Sequence, residues 1–196
     1  SPVATWRMMR RGCTATLVHF HSFPLVEGRS REKARELAEK LNTYQYDTRL
    51  FLVPFAEAQR SIILSVPGPL RVIAYRRFMI RIAEAIAKRE GVRALVTGES
   101  LGQVSSQTLT NMATVGEVAT LPILRPLVGL DKQEIIGVVT AVETWFTMNH
   151  EDRLIGYEER LSAISGGLQG VAGVESDLQV VDQYYVTTLQ VKIDTA

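Results

Sequence analysis

Cysteine is almost missing from this chain. Cys13 is the only one in 196 residues, which excludes an internal disulfide and any pair of cysteines clasping a metal. Histidine is scarce as well: His19, His21 and His150 are too thin a ligand set for a structural zinc site, so none is expected. No apolar run reaches the roughly 18 to 20 residues of a membrane-spanning helix, and no charged-then-apolar leader opens the chain. A soluble, cytoplasmic protein with no membrane partner is therefore expected. Aromatic residues make up only 7%, yet 46% of the residues are hydrophobic and 22% charged, which suits one globular domain with a substantial core and argues against disorder.

Each half of the chain is short of one sign of charge. The formal net charge is +1, but residues 1–93 carry 17 Lys and Arg against 8 Asp and Glu, whereas residues 94–196 carry 5 against 13. A basic half with Arg7, Arg10, Arg11, Arg76, Arg77 and Arg81 suits nucleic acid or a polyphosphate. Arginines that merely solvate helix faces would give the same count.

What is present reads as alternating strands and helices. Ser1 before Pro2 has the pattern of an N-cap followed by proline at the first helical position, with Gly12 as the stop. Residues 14–20 form a β-branched apolar run suited to a buried strand, and Cys13 at its start reads as core rather than nucleophile. Residues 30–41, 55–64 and 70–90 have helical apolar spacing, with strand-like residues at 50–53 and 92–97 between and after them. Residues 105–114 read as a helix capped by Ser105, residues 121–124 as a short strand, and residues 131–142 as a helix capped by Asp131. Alternation of this kind to about residue 142 predicts a parallel sheet with helices on both faces. Beyond it the pattern changes: residues 151–164 suit one amphipathic helix, residues 165–173 a glycine-rich linker, and residues 180–193 are β-rich.

The run from Leu95 to Gln107, LVTGESLGQVSSQ, carries the chemistry. An apolar strand opens there into a glycine-rich polar loop, the arrangement that lets backbone N–H groups approach an anion. Gly98 and Gly102 permit positive φ, and Glu99 and Ser100 supply oxygens. On spacing alone, a polar strand-to-helix connection with two turn glycines fits equally well.

Four segments together are more specific. Residues 18–22 (VHFHS), 75–81 (YRRFMIR), the loop 97–107 and residues 124–132 (LRPLVGLDK) occur here in the order and spacing of one family. They resemble the PP-loop ATPase domain of the ThiI-type tRNA 4-thiouridine synthases over about residues 1–140, and TGESLGQVSSQTL and LRPLVGLDK are the specific strings. The resemblance implies an α/β fold, a doubly wound, mostly parallel Rossmann-like sheet with helices on both faces. It divides the chain into a PP-loop domain at residues 1–142, short of its first strand and most of its phosphate loop, and a divergent region at residues 143–196.

The activity implied is ATP-dependent sulfur insertion into tRNA with a link to thiamine biosynthesis: a uridine carbonyl oxygen is adenylated, and sulfur from a persulfide displaces AMP. ATP and Mg²⁺ are the implied cofactors. Implied partners are tRNA, a persulfide donor of the cysteine-desulfurase kind and, as an option, a second copy in a homodimer. Carried over residue by residue, His19, Phe20, Arg76, Gly98 and Gln107 match ATP contacts, Lys132 matches a lysine that stabilises charge at the reacting phosphate, and Ser1 matches the last residue of the phosphate loop. Taken without the family, His19 reads as a strand-end histidine, Phe20 as core, Arg76 as a solvated helix arginine, Gly98 as a turn glycine, Gln107 as a surface amide and Lys132 as a solvated first-turn lysine.

The chain also departs from the family. The phosphate loop, Ser-Gly-Gly-x-Asp-Ser, is represented by Ser1 alone, and the central strand before it and the upstream tRNA-docking region are expected to be lacking. Where the family carries a sulfur-transfer cysteine, residues 150–153 read HEDR. A non-catalytic nucleotide- or RNA-binding module, or a fragment needing another polypeptide, therefore stands as the alternative. Residues 184–193 alternate apolar with polar, which predicts an edge strand or a partner-facing hairpin rather than a central strand.

Overall fold

A computed structural model describes residues 2–22, 29–45, 47–138 and 185–190. The strands β1 (Thr14–His21), β2 (Arg49–Pro54), β3 (Ala94–Thr97), β4 (Ile123–Leu124) and β5 (Tyr185–Gln190) form one five-stranded sheet in the order β2-β1-β5-β3-β4. β1 and β2 are parallel, with Thr16 opposite Arg49 and Phe20 opposite Val53; β3 and β4 are parallel, with Leu95 opposite Ile123. β5 runs antiparallel to both of its neighbours, placing Tyr185 opposite His19 and Val186 opposite Thr97.

Helices cover both faces, as the alternation predicts. On one side α3 (Ala56–Ser65), α4 (Gly68–Arg89) and α5 (Leu109–Gly116) pack around Val18, Phe20 and Leu95; on the other, α1 (Pro2–Met9) and α2 (Arg29–Asn42) enclose Ala15, Leu17 and Val96. Consecutive residues of β1 and β3 thus feed opposite cores, which is why neither strand shows the polar alternation of a half-exposed one. Cys13 lies in the second core, where burial pushes its thiol pKa up. Among the described residues no helix is long and apolar enough to cross a membrane.

The longest helix, α4, buries Tyr75, Arg76, Met79, Ile80, Ala83, Glu84 and Ala87, a stripe at helical spacing that contains two charged residues. Glu84 is one of them. Its carboxylate accepts hydrogen bonds from the backbone N–H groups of Thr120 (2.9 Å) and Leu121 (3.1 Å) and from the Thr120 hydroxyl, so α4 pins the connection that leads into β4. Burial alone would raise the Glu84 pKa, but the hydrogen bonds from Thr120, Lys88 and Leu121 outweigh it and hold the carboxyl below its ordinary value.

Two expectations are corrected. The helix expected over residues 105–114 divides into a 3₁₀ turn at Ser105–Gln107 and α5, and the cap belongs to Thr108, whose Oγ1 accepts from Asn111 N at 3.2 Å. A second capping hydroxyl three residues on lets the chain spend 105–107 on a separate turn. The second correction concerns the β-rich tail, which lies in the centre of the sheet instead of at an edge. β1 and β3 each present a row of backbone donors and acceptors toward the gap between them, and β5 satisfies both rows. Main-chain pairing is indifferent to the side-chain alternation on which the edge expectation rested.

Residues 132–138 are helical, and the expected Asp131 cap is present in reciprocal form. Asp131 Oδ1 accepts from Glu134 N at 2.8 Å while Glu134 Oε2 accepts from Asp131 N at 2.7 Å. Ser1, residues 150–153, the amphipathic segment 151–164 and the linker 165–173 lie outside the described residues, as does all of the region 143–196 except β5.

Candidate nucleotide-binding site

In an open α/β sheet, ligands bind beyond the carboxyl ends of the parallel strands where the strand order reverses. Here the parallel strands run β2-β1 outward on one side and β3-β4 on the other, so the reversal lies between β1 and β3. The segments that emerge at that edge are His19–Ser22 from β1 and Gly98–Gln107 from β3. These are two of the four strings singled out in the sequence.

The loop after β3 is tied down residue by residue. Gln107 closes it: its Oε1 accepts from Ser100 N at 3.2 Å and its backbone carbonyl accepts from Gly102 N at 3.0 Å. Gly102 has φ +73°, a left-handed conformation in which a Cβ would be strained, so the turn needs a glycine at this point. The loop is also stitched to residues 125–130: Leu101 N donates to Val128 O at 3.0 Å, and the buried Ser100 hydroxyl donates to Leu130 O. The TGES and LRPL strings, about 30 residues apart in the chain, are therefore one structural unit. Lys132 follows directly from it, exposed in the first turn of the last described helix.

Beneath the loop lies a buried ion cluster. Glu99, 5% exposed, receives the Thr97 hydroxyl at 2.8 Å and Arg125 Nε at 2.5 Å on Oε2, and pairs through Oε1 with Arg76 Nη2. Arg76, itself 5% exposed, donates from Nη1 to Ser106 O at 2.8 Å, and Arg125 donates from Nη2 to Met112 O at 3.2 Å. Burial lowers the Arg125 pKa from its ordinary value.

On the β1 side, His19 and His21 are both buried and stack with ring centroids 6.5 Å apart. By strand alternation they share the face of Ala15 and Leu17. Burial, and secondarily the neighbouring His21, lower the His19 pKa to about 4, so its imidazole is neutral at pH 7. Ser22 donates to Gln59 Oε1 at 2.8 Å, both residues being buried.

The depressed His19 pKa predicts a pH effect with a definite sign. Between about pH 6.5 and 4 the unfolded chain binds a proton at His19 that the folded chain does not, so stability falls as pH falls through that window. The full shift is worth roughly 3 kcal/mol. Urea unfolding followed from pH 7 to pH 4 should show this loss, and His19→Gln should flatten it; an identical slope in the variant would refute the assignment.

Of the residues named from the sequence, Arg76, Gly98 and Gln107 come together on the β3 side, and Lys132 sits at the end of the segment stitched to them. His19 and Phe20 lie across β5 on the β1 side. The Phe20 side chain is fully buried in T-shaped contact with Phe55, at 5.6 Å between centroids, so what it can offer a ligand is backbone. Arg76 is not a solvated helix arginine; it is tethered from both sides. Sequence reasoning passed over Arg125 and the ion-pairing role of Glu99, although both lie inside the specific strings. Among the described residues no group of three or more His, Cys, Asp or Glu side chains is arranged to hold a metal ion.

Comparison with known proteins gives a consistent pattern. Residues 1–157 match the family model of the thiamine biosynthesis protein ThiI. A probable tRNA sulfurtransferase of Thermus thermophilus is 57% identical over 147 residues, covering 75% of this chain and 36% of that protein. A probable tRNA sulfurtransferase of Moorella thermoacetica is 42% identical over 184 residues, covering 93% of this chain and 47% of that protein. The chain thus spans between about a third and a half of the length of these relatives. Among solved structures, the crystal structure of a 4-thiouridine synthetase–RNA complex with bound ATP superimposes with a TM-score of 0.69 at 29% identity, over 97% of this chain and 52% of that one.

Proposed function

From a chain that belongs to the ThiI family, we propose an ATP-dependent tRNA sulfurtransferase domain that adenylates a uridine of tRNA for 4-thiouridine formation, with a link to thiamine biosynthesis. One observation carries the reading: the TGES and LRPL segments are hydrogen-bonded into a single unit at the strand-order reversal, where an α/β sheet binds nucleotide. The uridine carbonyl oxygen attacks the α-phosphorus of ATP and pyrophosphate departs; a persulfide sulfur then displaces AMP from the activated carbon, and a second thiol of the sulfur-donor system cleaves the S–S bond, leaving the sulfur on the base and a disulfide on the donor. A carbonyl oxygen leaves poorly until it is esterified to phosphate, which is why the nucleotide is consumed.

In this assignment Gly98 and the Gln107-closed loop border the nucleotide on the β3 side, with Arg76 beneath. His19, neutral, and the Phe20 backbone border it on the β1 side, and Lys132 supplies positive charge at the reacting phosphate. Magnesium enters as the counter-ion of the ATP phosphates. The basic helices of residues 1–93 favour RNA as the second substrate, and the persulfide donor and a homodimeric assembly are proposed on the family resemblance.

A second reading, nucleotide and RNA binding without turnover, is favoured by β5. It fills, antiparallel, the central position where the family resemblance expects a parallel strand leading into the phosphate loop. Calorimetry with ATP and an ATP–pyrophosphate exchange assay with unmodified tRNA separate the two. Binding with tRNA-stimulated exchange is expected for the enzyme. Binding without exchange supports the second reading, and a folded chain that binds no ATP overturns both.

A further inference from the structure

The cluster under the nucleotide loop holds two guanidinium groups on one carboxylate. Its side chains are 6% (Arg76), 7% (Glu99) and 21% (Arg125) exposed. Those three side chains together carry one surplus positive charge, in surroundings where charge is poorly screened. If Arg125 were absent, Glu99 would neutralise Arg76 outright. If Glu99 were absent, Arg76 would lose the contact that opposes its hydrogen bond to Ser106 O and fixes its guanidinium. Arg125 is itself anchored to Met112 O in α5, so its distance to Glu99 is set by the packing of α5 and not by the loop.

We infer that Glu99 and Arg125 are positioning residues for Arg76: Glu99 orients its guanidinium, and Arg125 offsets the Glu99 charge so that Arg76 retains its attraction for a polyphosphate. The inference rests on the nucleotide-binding reading of the site. It concerns the phosphate end of the ligand rather than the base, because an uncharged base gains nothing from the surplus charge.

Calorimetric titration of the full chain with ATP and, separately, with adenosine tests it. Arg125→Met is expected to weaken ATP binding at least about tenfold while leaving adenosine within about twofold, since a change of one partly buried charge acts on the phosphates alone. Arg125→Lys should recover most of the ATP affinity. Should Arg125→Met not fold, Arg125→Gln, which keeps a hydrogen-bond donor, carries the same expectation. Wild-type ATP affinity in the folded variant, or parallel loss of ATP and adenosine, overturns the inference while leaving nucleotide binding intact. A wild-type chain that binds no ATP overturns the functional reading and this inference with it.

Discussion

Lys132→Ala should lower tRNA-dependent ATP–pyrophosphate exchange about a hundredfold or more, the loss typical of removing one charge-stabilising group from a reacting centre, while leaving the fold as stable as before. Lys132 is exposed in the first turn of the helix at residues 132–138, behind the Asp131–Glu134 capping pair. A cation at that end meets the positive pole of the helix dipole, which costs about 0.3 to 1 kcal/mol. Its removal should therefore leave thermal unfolding unchanged or shifted slightly upward. Under the proposed function, that cost is offset by attraction between Lys132 and the phosphates of ATP. Exchange at the wild-type rate in the variant would remove Lys132 from the chemistry, and a lowered unfolding temperature would show a structural role instead.

The second large effect is on stability. Phe55 is fully buried and meets Phe20 at 5.6 Å and Tyr75 at 6.3 Å between centroids, edge-on to both, so it joins β1 to α4. Its N–H also donates to His21 O at 2.8 Å, fixing the chain at the end of β1. Phe55→Ala should cost about 3 to 5 kcal/mol, a large share of the 5 to 15 kcal/mol that holds a typical domain folded. In a domain of this size the loss lowers the unfolding temperature by roughly 10 °C. Phe55→Leu, which refills most of the space, should cost less than half as much. Equal unfolding temperatures for Phe55→Ala and the wild type in a thermal melt would contradict the packing described.

Much of this was legible in the chain. The apolar runs of β1 and β3 predicted strands buried on both faces, and the stripes at 30–41 and 70–90 predicted helices, because periodicity is written by neighbouring side chains. Asp131 was readable as a cap for the same reason, whereas the return bond from Glu134 was seen only in the structure. The 105–114 segment misled because Ser105 and Thr108 both have capping chemistry, and only the closure of the loop by Gln107 assigns the helix to the second.

The sequence by itself determined the alternation of strands and helices, the two-sided burial of the sheet and, through TGESLGQVSSQTL and LRPLVGLDK, the family. Each of these depends on residues within a few positions of one another. The tertiary structure alone decided that β5 runs in the middle of the sheet, that the two strings form one hydrogen-bonded unit, and that Glu99 is shared between Arg76 and Arg125. Those outcomes join segments 23 to more than 150 residues apart. They follow from which unpaired backbone edges and buried charges meet in space, and local pattern does not encode that.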